Sequence, residues 1–211
     1  MKIVIKYLRR SKNLFYSLVS ILHLSCNENS QTEVNIAKNS NFTNHAQELI
    51  DNDFLKFADS AKVDSLIAQL TNSFDIYNDD NFKIAHIDAE ELSEFSFNFF
   101  LPNLNRILAQ RDFELSTQKL NEDENSFDIL INGDTLQLYS QNDLNDNSFW
   151  DKAPRNYFKK INELLKLKKF DEQFYLLYGG NDLHVILLTD KQYSIILDYY
   201  KNNDKEKPCK P

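Results

Sequence analysis

The chain has 211 residues, 42% hydrophobic and 27% charged, which is the composition of one folded domain and too apolar for a wholly disordered chain. Its 24 basic and 32 acidic residues give a net charge of −8, which argues against broad nucleic-acid binding. Three glycines (Gly133, Gly179, Gly180) leave no glycine-rich phosphate loop, and two cysteines (Cys26, Cys209) exclude a four-cysteine zinc site or a disulfide scaffold.

Residues 1–25 carry Lys2, Lys6, Arg9, Arg10 and Lys12 and no acid. An apolar stretch from Leu14 to Leu24 follows, then Ser25 and Cys26. This is the layout of a secretory signal peptide. Eleven helical residues reach about 16 Å, whereas a bilayer core needs about 30 Å, so a permanent span is the weaker reading. Leu22-His23-Leu24-Ser25-Cys26 resembles the lipobox of bacterial lipoproteins, with His23 standing where that family usually has leucine. The resemblance implies cleavage before Cys26, acylation of its sulfur, and a place in the bacterial cell envelope, anchored to the membrane and facing the periplasm or the cell surface. Losing five of 24 cations leaves 19 basic against 32 acidic residues, a net of −13. Anionic headgroups repel such a body, so the acyl chains would hold it. Residues 26–44 are rich in Asn, Ser, Gln and Thr and read as a flexible tether.

A single domain is expected over 45–200. Ala46, Leu49, Ile50, Phe54, Phe57 and Ala58, then Val63, Leu66, Ile67 and Leu70, repeat at three- and four-residue spacing, which predicts two short helices or one bent one, ending near Thr71. Phe82–Ile87 reads as a short extended piece. Asp88 with Glu91 has capping-box spacing. The following run to Arg111 reads as a core helix interrupted at Pro102. Phe113–Lys119 alternates, and Asn132-Gly133 between two apolar runs signals a hairpin. Ala153–Phe170 reads as a helix with Pro154 in its first turn. A second hairpin, Gln173–Tyr178 to Leu183–Leu188, turns at Gly179-Gly180-Asn181-Asp182. Thr189 with Gln192 opens a last helix to about Tyr200, and residues 201–211 read as a disordered tail. The expected fold class is α+β: N-terminal helices, then two hairpins in one antiparallel sheet alternating with helices that cover one face.

The chemistry-bearing residues are sparse. His86 and Asp88 could share a strand face as a metal or acid–base pair, but Asp88 serves better as a helix cap. Asp143-x-Asn145-x-Asn147 begins an EF-hand spacing, then has Ser148 where Gly belongs and Pro154 where Glu belongs. No metal or cofactor is expected. Arg155, Lys159, Lys166 and Lys169 fall within about 80° of helical arc, a solvated face or a docking face. Asp59-Ser60-Ala61, Asp64-Ser65-Leu66 and Asp134-Thr135-Leu136 resemble the Asp-Ser/Thr-aliphatic acceptor of a bacterial envelope O-glycosylation system. The second hairpin is the candidate binding site: Asn181 and Asp182 at the tip, Tyr175 and Tyr178 on the strand leading in. These features favour a non-catalytic binding module with an envelope protein as partner, and an immunity protein that neutralises a secreted toxin fits that composition and address. The rival is an envelope hydrolase with scattered catalytic groups; converging carboxylates of raised pKa would favour the enzyme, and a patch with exposed aromatics the binder.

Overall fold

The computed structural model describes residues 44–120 and 127–211. The signal segment, Cys26, nearly all of the tether and residues 121–126 lie outside the described residues. Helix α1 covers residues 44–51, and α2 covers Val63–Ser73. The break falls where Asp53 takes positive φ. Ala46, Leu49, Phe54, Leu66 and Leu70 are buried, so the apolar periodicity marks the inward face of both helices. α2 stops at Phe74, whose left-handed backbone returns its N–H to Leu70 O.

Strand β1 (Ile84–His86) leads to α3 (Ala89–Ser93), where the Asp88 carboxylate accepts the N–H groups of Glu90 and Glu91. The long helix expected from here to Arg111 is broken earlier than Pro102. Phe95 takes φ +63, a 3₁₀ turn spans Phe97–Phe99, and α4 (Leu101–Ala109) restarts with Pro102 in its first turn, where no amide is missed. Strands β2 (Thr117–Lys119), β3 (Asp128–Ile131) and β4 (Asp134–Gln137) follow. The β3–β4 turn is the two-residue one expected, with Asn132 at φ +49, Gly133 at φ +90 and Ile131 paired to Asp134. Helix α5 (Gln141–Asn145) precedes α6 (Phe149–Leu167). α6 starts four residues before the predicted Ala153, because the Asp151 and Lys152 amides already close on Ser148 O; Pro154 therefore lies inside the helix. β5 (Glu172–Leu177), β6 (His184–Thr189) and α7 (Asp190–Tyr199), opened by the Thr189–Gln192 capping box, complete the described order.

The fold is α+β, with the strands in two antiparallel sheets rather than one: β1-β6-β5 and β2-β3-β4. Nor do the helices cover one face only. β5 and β6 are buried along nearly their whole length, and alternate residues enter two different cores. Phe174, Leu176, Val185 and Leu187 pack with α4, α6 and the second sheet. Tyr175, Ile186 and Leu188 pack on the opposite face with residues of α1, α2 and α7. A strand buried on both sides reads as a continuous apolar run, which is what Phe174–Leu177 and Val185–Leu188 are.

The outer edge of β5 is closed without another long strand. Asn162 of α6 accepts the Phe174 N–H (2.7 Å) and donates to Phe174 O (2.9 Å), imitating a strand partner. Two residues on, Leu176 exchanges both backbone hydrogen bonds with Cys209. The segment expected to be a disordered tail is therefore docked: Pro208 is buried, and the Glu206 carboxylate accepts the hydroxyls of Tyr77 (2.5 Å) and Tyr178 (2.6 Å). Covering an edge in this way removes a template for unwanted pairing. Asn105 of α4 treats Leu115 as Asn162 treats Phe174, at 2.8 and 2.9 Å.

Candidate interaction surface at the hairpin end of the sheet

The β5–β6 hairpin turns through Tyr178 (φ +62), extended Gly179 (φ −166) and Gly180 (φ +62), followed by a 3₁₀ turn over Gly180–Asp182. Of the two glycines only Gly180 thus holds a left-handed backbone, and Tyr178 holds the other such position. Asn181 and Asp182 are exposed at the tip, as placed from sequence. Asn181 reaches across to Glu90 of α3 at 3.3 Å. Tyr178 is 41% exposed, with its hydroxyl on Glu206.

Tyr175 does not belong to this surface. Three residues before Tyr178 on an alternating strand, it points into the core beneath α7 and is 0% exposed. Its ring stacks on Tyr193 at 4.0 Å, and its hydroxyl donates to Asp190 (3.0 Å). Burial, then that carboxylate, push the phenol well above its ordinary range.

Other side chains join the tip. His86 of β1 and His184 of β6 are direct cross-strand partners, with ring centroids 4.7 Å apart. Phe99, 51% exposed, meets His86 edge-on, and Tyr178 meets His184 edge-on. Tyr77 lies 6.4 Å from Tyr178. The hairpin end of the β1-β6-β5 sheet thus carries a ribbon of rings: Phe99, His86, His184, Tyr178, Tyr77. Nothing local in the sequence joins His184 and Phe99 to the tip. The missing information was the β1–β6 pairing, which joins residues about a hundred positions apart.

A cleft of about 680 Å³ lies elsewhere, between the turn after α1, the end of α4 and the starts of β5 and α7. Its lining includes Arg111, Glu172 and Gln192, all buried. Glu172 takes Lys83 Nζ at 2.5 Å and Arg111 Nη2 at 2.9 Å on one oxygen, and Arg111 Nε on the other. Lys83 is 1% exposed and also reaches Gln192 (3.2 Å), while Arg111 Nη1 caps Phe82 O and Ile107 O. The Phe57 ring lies 4.2 Å from the guanidinium. Burial pushes the Glu172 carboxyl up, but Arg111 and Lys83 together overcome that and hold it below the ordinary carboxylate range. Burial pushes the Lys83 ammonium down, against the upward pull of Glu172. These groups are spent on one another, which makes the triad a structural tie between sheet and helices. Nothing in the sequence announces it beyond one charge, Lys83, inside an apolar strand-like run.

The remaining sequence candidates take ordinary places. Asp143 of the half EF-hand spacing forms a capping box with Ser140 at the start of α5 and also takes Ser148 Oγ. Asp88 caps α3, and His86 turns to the Asn181 carbonyl instead. On α6, Arg155 pairs with Asp151, while Lys159 and Lys166 stay exposed; the helix ends at Leu167, short of the expected Phe170, and Lys169, at φ +65, lies beyond it and off the basic face. Ser60, Ser65 and Thr135 are exposed. Among the described residues, no group of three or more His, Cys, Asp or Glu side chains is placed to hold a metal ion, and no helix is long and apolar enough to cross a membrane. Comparison of the chain with protein-family models, curated proteins and solved structures found no match.

Proposed function

We propose that the chain is a lipid-anchored protein of the bacterial cell envelope whose folded body is a binding module, with the hairpin end of the β1-β6-β5 sheet as its contact surface. The single observation that carries the anchor is the order of basic residues, short apolar run, Ser25 and Cys26. The contact surface is supported by the exposed rings of Phe99 and Tyr178 beside the polar tip residues Asn181 and Asp182, the mixture that interfaces use. The binding reading is favoured over a hydrolase by the carboxylates. Each described one that its surroundings displace (Asp143, Asp146, Glu172, Asp198, Asp204) is held below the ordinary range, where a general acid would be held above it.

Two experiments separate the halves of this reading. Metabolic labelling with a fatty-acid analogue should label the wild-type chain and leave Cys26→Ser unlabelled; equal labelling of both contradicts the anchor. A photo-crosslinking residue at Asp182, in intact cells, should capture one envelope protein that the same residue at Ser60 does not. Identical capture at both sites contradicts the contact surface.

A further inference from the structure

We propose that His86 and His184 form a chelating pair for a borderline divalent transition-metal ion such as zinc. In the β1–β6 ladder the hydrogen bonds run from Ile87 N to Leu183 O and from Leu187 N to Lys83 O, so the odd-numbered residues are the hydrogen-bonded pairs. His86 opposite His184 is therefore a non-hydrogen-bonded pair, the kind whose side chains stand closest.

His86 Nε2–H donates to Asn181 O at 2.9 Å, and His184 Nδ1–H donates to Asp182 O at 2.7 Å. A carbonyl can only accept, so each neutral ring must carry its proton on the nitrogen facing that carbonyl. This leaves Nδ1 of His86 and Nε2 of His184 as bare lone pairs. Metal-ligating histidines are oriented in the same manner, with the non-ligating N–H held by a carbonyl or carboxylate.

With metal–nitrogen bonds of about 2.0–2.1 Å, two imidazoles on one ion have ring centroids roughly 4.5 Å apart at a right angle and roughly 5.2 Å apart at the tetrahedral angle. The observed 4.7 Å lies between these limits. Two imidazole donors select zinc, nickel or copper(II) over magnesium or calcium, which prefer oxygen. Both rings are only half-buried, so water fills the other coordination positions.

The test uses the purified full chain, stripped with chelator and titrated with zinc chloride. In wild type, nitrogen-15 spectra should show the ring resonances of His86 and His184 responding together to substoichiometric zinc, with His45, which is bound to Asp198, responding only at excess. Calorimetry should give one zinc per chain, weakened at least tenfold by His86→Gln and by His184→Gln and unchanged by His45→Gln. The inference is overturned if neither ring responds in wild type, or if the two substitutions leave zinc affinity intact. The spectra need no variant, so a misfolded substitution does not rescue or sink it.

Discussion

Replacing Glu172 by Gln leaves the side-chain shape almost unchanged and removes one charge from the buried Lys83–Glu172–Arg111 triad. Lys83 and Arg111 then face each other as buried charges, with burial and Arg111 both driving the Lys83 ammonium down. Breaking a buried ion pair from one side costs about 3–5 kcal/mol, because the surviving charge is left uncompensated. A protein of this size has roughly 5–15 kcal/mol in all, so the variant should be folded but fragile. Its melting temperature should fall by roughly 6–20 °C, at about 2–4 °C per kcal/mol. The acid-range pH dependence should disappear and the alkaline-range one, which has the same sign, should grow. In wild type, Glu172 has a depressed folded pKa, so its contribution is full above the unfolded value of about 4.3 and is lost as pH falls through the folded value. In Glu172→Gln, the unfolded chain holds the Lys83 proton more tightly than the folded one, so stability should rise with pH up to about 10.4. Converting all three residues to Met should recover most of the loss, since apolar packing commonly replaces a buried ion network at little cost. Denaturant unfolding of wild type, Glu172→Gln and the triple variant measures this. A loss below about 1 kcal/mol for Glu172→Gln, the range of exposed ion pairs, refutes the reasoning.

Other expected outcomes follow from single contacts. Asn162→Ala strips both backbone partners from Phe174 on the β5 edge and should cost about 2 kcal/mol in denaturant unfolding. Gly180→Ala should cost about 1–2 kcal/mol, because φ is +62 there. Gly179→Ala, with extended backbone and open space around it, should change stability by less than about 0.5 kcal/mol. Asn181→Ala with Asp182→Ala should likewise leave the melt within about 0.5 kcal/mol of wild type while weakening capture of the partner from envelope extract.

The elements were legible where the pattern was local. Asn132-Gly133, Thr189 with Gln192 and the two apolar strands around Gly179 each specify their geometry within a few residues, and all appear where the sequence places them. What was missed depends on distance along the chain. Burial of β5 and β6 on both faces follows from α1 and α7 meeting on one side and α6 on the other, which no local window contains. Tyr175 and Tyr178 look alike in sequence, yet strand alternation and the positive φ of Tyr178 send one into the core and the other to the surface. The composition of 201–211 reads as solvated because its partners are backbone and tyrosine hydroxyls, not apolar side chains. The buried triad joins positions 83, 111 and 172, charged residues that a sequence reading assigns to solvent.

The anchor is the claim on which the proposed address and role both rest, and the intact mass of the protein from its native membranes tests it most directly. The account predicts a chain that begins at Cys26 and carries added acyl mass. A chain beginning at Asn27 or later, or one beginning at Cys26 with no acyl mass, contradicts it.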